Sequence, residues 1–77
     1  MDIRNKVSEI LTEIFDMDVV VEDQMSIGSL EDWDSLAQME IITLMESEFG
    51  VKFTTSELHE LKNMGEYIKN IEGKIEK

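Results

Sequence analysis

The chain of 77 residues is short and strongly acidic, with 42% apolar residues, no cysteine and a formal net charge of −11. A chain of this length buries only about 60–65% of its unfolded surface, so a deep catalytic cleft would compete with the core. The absence of cysteine excludes disulfides and thiolate metal sites. The negative charge disfavours nucleic acid and anionic lipid as partners and favours basic proteins.

No apolar run approaches the roughly 20 residues that a membrane-spanning helix needs. The N-terminus also lacks the basic and then apolar layout of a secretory signal peptide. We therefore expect a single domain over residues 1–77, monomeric, located in the cytoplasm and without membrane insertion.

The first predicted helix covers residues 3–15, with Asp2 as its N-cap. Its apolar side chains recur at helical spacing and predict one face turned to the core. Residues 16–33 follow as a long segment that contains Val19-Val20-Val21. Three β-branched residues are typical of a strand, but no second strand is predicted to pair with them. We expect a long loop whose apolar residues pack across the helices.

The second helix is predicted over residues 35–49, between an N-cap at Asp34 and a left-handed Gly50. A capping box, Thr54-Thr55-Ser56-Glu57, then opens a short third helix. Asn63-Met64-Gly65-Glu66 repeats that pattern before an isoleucine-rich last helix. The apolar residues of that helix form one narrow stripe at helical spacing, made of Met64, Tyr67, Ile68, Ile71 and Ile75. The predicted fold is all-α: a four-helix bundle with three longer amphipathic helices, one short third helix and a long loop between helices 1 and 2.

The predicted solvent side of the second helix mixes acids with two large apolar residues. Leu36 and Met39 lie there beside Glu40 and Glu46. Scattered apolar residues on a surface are common, so the pattern is compatible with chance and with a docking surface.

Ser35 stands at the start of that helix. A serine nucleophile needs a base, and His59, on the short third helix, has no cleft around it, which disfavours a hydrolase. Two other roles remain open. The serine is either part of ordinary helix capping, or it is an attachment point for a phosphodiester, since a helix N-terminus favours anions.

A calcium-binding loop is the metal site that this acidic chain most resembles. The best frame starts at Asp23 and places Gly28 at the required sixth position, but Met25 and Ile27 then occupy positions that need oxygen ligands. The frame fails, and we predict no metal site. No nucleotide-binding or metalloprotease motif occurs either.

Asp34-Ser35-Leu36 resembles the attachment motif of the acyl carrier proteins and related phosphopantetheine-dependent carriers. The chain is similar to that family over nearly its whole length, from the first helix and long loop to the Glu48-Phe49-Gly50-Val51 helix end, Phe53 and the last two helices. The resemblance implies a carrier that is not itself an enzyme. A phosphopantetheinyl transferase would transfer 4′-phosphopantetheine from coenzyme A to Ser35. The arm's thiol would hold acyl or aminoacyl groups as thioesters for partner enzymes.

The same resemblance implies roles for neighbouring residues. Asp34 and Leu36 would support the modification, and basic patches of partner enzymes would dock on Leu36, Met39, Glu40 and Glu46. An acyl chain would enter the core beside Met39, Ile42, Phe53, Leu58 and Leu61.

The residues around the motif depart from carriers of fatty acid synthesis. Glu31-Asp32-Trp33 precedes it and Ala37 follows it, an arrangement that resembles free-standing carriers of specialised lipid, polyketide or secondary-metabolite pathways. A carrier of fatty acid synthesis and an aminoacyl carrier remain alternatives. Outside the carrier class, the first alternative is a small acidic interaction module with unmodified Ser35, and the second is a divalent-cation sensor. Trp33 is expected to cover the core at the end of the loop.

Overall fold

Local capping signals predict four helices, and the computed structural model, which describes residues 2–75, contains four. They are α1 (Ile3–Phe15), α2 (Ser35–Phe49), α3 (Thr55–Glu60) and α4 (Met64–Ile75), and the described part of the chain has no strand. The predicted all-α fold with a short third helix and a long first loop is therefore confirmed.

Aspartates begin the first two helices as predicted. Asp2 accepts the backbone N–H of Asn5 at 3.1 Å, and Asp34 accepts that of Ala37 at 2.9 Å. Each bond satisfies one of the free N–H groups of a helix's first turn. Gly50 ends α2 with a left-handed φ of 66°, a conformation that glycine adopts without steric cost.

The last two helices begin with side-chain caps as well. Thr54 Oγ1 accepts the N–H of Glu57 at 3.1 Å and the Glu57 carboxylate accepts the N–H of Thr54 at 2.8 Å, which is the predicted capping box. Asn63 accepts the N–H of Glu66 at 3.0 Å. The Glu66 carboxylate, however, accepts the backbone N–H of Lys62 rather than that of Asn63. The second hydrogen bond of the capping box is therefore shifted by one residue towards the N-terminus.

The core lies where α1 packs against α2 and α4, and the long loop and the segment before α3 complete it. No polar side chain of the described residues is fully buried. The buried apolar residues are Val7, Ile10, Leu11, Val19, Val21, Trp33, Ala37, Ile41, Ile42, Met45, Phe49, Phe53, Met64, Tyr67, Ile68 and Ile71.

The valines of the loop alternate as in a strand, but α1 takes the place of a partner strand. Val19 and Val21 are buried and Val20 is exposed. The hydroxyl of Ser8 accepts the N–H of Val21 at 2.9 Å, and that of Thr12 accepts the N–H of Val19 at 3.0 Å. These hydroxyl groups satisfy the backbone groups that a sheet would otherwise pair.

The end of the loop caps α4. The carbonyl groups of Met25 and Asp23 accept the N–H groups of Met64 at 2.8 Å and Gly65 at 3.0 Å. A Cβ atom on Gly65 would lie 2.8 Å from the Cβ of Asp23, so the close approach of loop and helix requires glycine at this position.

Trp33 closes the loop at the start of α2. Its side chain is 2% exposed, and its ring lies 5.4 Å from that of Phe15, centroid to centroid. The indole N–H donates to the side-chain oxygen of Gln38 at 2.7 Å. The expectation that Trp33 covers the core is confirmed.

A partly buried ion pair joins α3 to α4. Lys74 Nζ lies 2.7 Å from a carboxylate oxygen of Glu57 and 4.7 Å from the centre of the Phe53 ring, and Asn70 donates to the same carboxylate at 3.0 Å. The hydrogen bond from Lys74, followed by those from the Thr54 N–H and Asn70, lowers the pKa of Glu57 from 4.5 to about 2. The charged carboxylate therefore stabilises the folded state.

We expect the Glu57→Gln variant to be about 1–2 kcal/mol less stable than wild type at pH 7, because glutamine cannot form the ion pair. The loss is not larger because the side chains are about a quarter exposed and solvent screens their interaction. A lowered carboxyl pKa stabilises the fold above about pH 4.5, and that contribution is lost as the pH falls towards about 2. Urea denaturation of both proteins across this range measures the difference. A gap that stays constant with pH would contradict the prediction.

Candidate functional site

Ser35 is the first residue of α2, and its side chain is exposed. The Asp34 carboxylate caps the helix from the preceding position, so the Ser35 hydroxyl has no capping task of its own there. The free backbone N–H groups and the positive end of the helix dipole favour a negatively charged group at this end of α2.

A cavity of about 400 Å³ lies beside Ser35, between α2, α3, the long loop and α4. This volume falls within the range of about 300–1,000 Å³ that small-molecule sites occupy. It is lined by Ser26, Ile27, Ser35, Gln38, Met39, Ile42, Leu58, Leu61, Lys62 and Tyr67. Four of the five residues predicted at the acyl entrance, Met39, Ile42, Leu58 and Leu61, are among them.

Phe53, the fifth predicted entrance residue, does not line this cavity. It is buried, its ring meets the edge of the Tyr67 ring at a centroid distance of 5.4 Å, and Lys74 lies over one face. These contacts hold the ring in the core, and Tyr67 rather than Phe53 lines this cavity.

Sequence reasoning missed several lining residues, among them Gln38 and Tyr67. Gln38 had one signal, since it is a polar residue on the otherwise apolar side of α2. Tyr67 was predicted as part of the core stripe of α4, and it is buried there and also lines the cavity. Burial raises the pKa of the Tyr67 hydroxyl, and a hydrogen bond from Gln38 partly opposes this rise.

The outer face of α2 carries the residues predicted for docking. Leu36 is 75% exposed and Met39 54% exposed, and Glu40 is exposed beside them. Glu46 differs, because its half-buried carboxylate accepts the backbone N–H of Phe53 at 2.8 Å. Glu46 therefore fixes the backbone of the segment between α2 and α3.

Within residues 2–75, no three His, Asp or Glu side chains are arranged to hold a metal ion. None of the helices described there is long and apolar enough to cross a membrane.

A protein-family model described as a phosphopantetheine attachment site matches residues 2–71. The chain belongs to this family of carrier proteins. The carrier is also similar to a holo acyl carrier protein from Geobacter metallireducens whose structure was solved in solution by NMR. The two are 30% identical with a TM-score of 0.86, over 97% of this chain and 87% of the other. No curated protein sequence matches the carrier.

Membership of this family gives the carrier a covalently attached 4′-phosphopantetheine and no catalytic activity of its own. Phosphopantetheinyl transferases and acyl-processing enzymes act on such carriers. The chain offers groups that fit this cofactor: an exposed hydroxyl for a phosphodiester, a helix N-terminus that favours its charge, and a cavity beside both.

Proposed function

We propose that Ser35 is the attachment residue, and that the carrier presents acyl or aminoacyl thioesters to partner enzymes of a specialised lipid, polyketide or secondary-metabolite pathway. The observation that carries the proposal is the position of Ser35, with its exposed hydroxyl at the capped start of α2 and on the rim of the cavity. Trp33 immediately before the Asp34-Ser35-Leu36 motif supports a specialised pathway.

The cofactor supplies a flexible arm whose thiol bonds the cargo as a thioester. Ser35 gives that arm a point of attachment, and Asp34 keeps the start of α2 formed through its bond to the Ala37 N–H. The tether raises the effective concentration of the cargo at each partner enzyme.

Mass spectrometry tests the attachment site. The protein is incubated with coenzyme A, magnesium and a broad-specificity phosphopantetheinyl transferase, and then digested for peptide mapping. We expect one phosphopantetheine, located on Ser35, with none on the other serines, Ser8, Ser26, Ser29, Ser47 and Ser56. A group mapped to another serine, or no addition while a known carrier is modified in parallel, would refute the proposal.

We further propose that partner enzymes dock on the outer face of α2 through Leu36, Met39, Glu40 and Glu46. The exposed apolar side chains of Leu36 and Met39 border a shallow groove that also includes Glu40. A net charge of −11 would draw enzymes with basic patches to the carrier. Glu46 is less accessible at this surface than Glu40, because its half-buried carboxylate accepts the backbone N–H of Phe53.

We expect Glu40→Lys to raise the KM of the phosphopantetheinyl transferase for the carrier roughly fivefold or more at low ionic strength, and less at high salt. Glu13→Lys is the matched control, since it makes the same change in net charge at an exposed position on α1. Steady-state kinetics of both variants separate local docking from overall charge. An equal rise in KM for the two would contradict a docking role for Glu40.

A further inference from the structure

The cavity beside Ser35 has two chemically different walls. Apolar side chains from the loop, α2 and α3 form most of it, namely Ile27, Met39, Ile42, Leu58 and Leu61. Gln38 and Tyr67 add hydrogen-bonding groups to the same space, together with Ser26, Ser35 and Lys62. An unsubstituted hydrocarbon chain would match the apolar side chains and offer no hydrogen bond to the polar ones.

The buried indole of Trp33 fixes the orientation of the Gln38 side chain. The indole N–H of Trp33 donates to its side-chain oxygen at 2.7 Å, and Trp33 is itself packed in the core. Because indole is only a donor, this contact assigns the oxygen of the Gln38 carboxamide to Trp33. The NH₂ group of Gln38, with two donor hydrogens, is consequently available to the cavity and to Tyr67.

Tyr67, on α4, lines the same cavity. The residue is only 3% exposed, and the edge contact with Phe53 holds its ring. The carboxamide that Trp33 orients and the phenol of Tyr67 are thus both polar groups of residues that line one cavity.

We infer that the cavity selects acyl chains that carry an oxygen substituent, a hydroxyl or oxo group close to the thioester, which hydrogen-bonds to Gln38 and Tyr67. This inference rests on the proposed attachment at Ser35. Polar groups that lose water without gaining a partner destabilise a complex, and sites built to bind a substrate hydroxyl discriminate strongly against analogues that lack it. A saturated chain therefore lies less favourably in this cavity than a 3-hydroxyacyl chain of the same length.

The test compares two cargoes on two proteins. A phosphopantetheinyl transferase transfers octanoyl- or 3-hydroxyoctanoyl-phosphopantetheine from the corresponding coenzyme A thioester to wild type and to Tyr67→Phe. Intact mass verifies the loading, and the rate of thioester cleavage by hydroxylamine then measures how well each cargo is sheltered. Tyr67→Phe removes one hydroxyl and keeps the ring that packs on Phe53, and circular dichroism verifies its fold.

We expect Tyr67→Phe to accelerate cleavage of the 3-hydroxyoctanoyl thioester about 3–10-fold, the loss of one buried hydrogen bond. Cleavage of the octanoyl thioester should be unchanged or slower in the variant. Equal effects on both cargoes would overturn the inference and indicate that Tyr67 contacts the cofactor arm or only the core. Absence of any loading would instead refute attachment at Ser35, and the inference with it.

A measurement on wild type alone gives a second test. The side-chain NH₂ signals of Gln38 and the ring signals of Tyr67, followed by NMR, should shift more on loading with 3-hydroxyoctanoyl than with octanoyl. Identical spectra for the two loaded forms would overturn the inference without any mutation.

Discussion

Ser35→Ala is expected to gain no phosphopantetheine under conditions in which wild type is fully modified, a complete loss of function as a carrier. Alanine has no hydroxyl oxygen with which to form the phosphodiester. The replaced side chain is exposed and Asp34 continues to cap α2, so we expect the free energy of unfolding to change by less than about 0.5 kcal/mol. Intact-protein mass spectrometry reads the modification.

Ser47→Ala provides the matched control, since it removes an exposed hydroxyl from the same helix, far from the cavity. This variant should be modified like wild type. Modification of Ser35→Ala would show that another residue bears the cofactor, and the position of Ser35 would then have to be explained by helix formation alone.

Trp33→Ala is expected to destabilise the fold by about 3–5 kcal/mol, because it removes a large buried side chain and leaves a cavity. The variant also loses the contact with Phe15 and leaves Gln38 without its donor. A domain of this size has a total stability of roughly 4–11 kcal/mol, so the variant is expected to lie close to unfolding. Urea denaturation followed by circular dichroism measures the effect.

Val20→Ala serves as the control in the same loop, since Val20 is 78% exposed and its truncation should cost less than about 0.5 kcal/mol. A loss below about 1 kcal/mol for Trp33→Ala would mean that the loop end contributes little to the core. The function of a Trp before the motif would then have to lie outside folding.

The helices could be predicted because their signals are local. Asp34 and Gly50 bound α2 through contacts within a few residues, and Thr54 with Glu57 does the same for α3. The apolar spacing of α4 likewise placed Tyr67 in the core. Each of these predictions depends on residues that lie close together in the sequence.

The cavity depends on contacts between distant segments, and the predictions were less complete there. Phe53 was expected at the entrance, but its place is decided by Tyr67 and Lys74, from another helix. Glu46 was expected to face solvent, yet its carboxylate turns to a backbone N–H seven residues away. Helical spacing predicts the direction in which a side chain leaves its helix. It does not predict which residues of other segments that side chain contacts.

The loop that caps α4 also forms one wall of the cavity. Ser26 and Ile27, which line it, directly follow Met25, whose carbonyl accepts the first N–H of α4. An occupant that displaced this wall outward would stretch that bond and the neighbouring bond from Gly65 to Asp23. The width of the cavity is therefore limited by the two backbone hydrogen bonds that begin α4. These bonds restrict the width of the cargo that fits as much as the side chains that contact it.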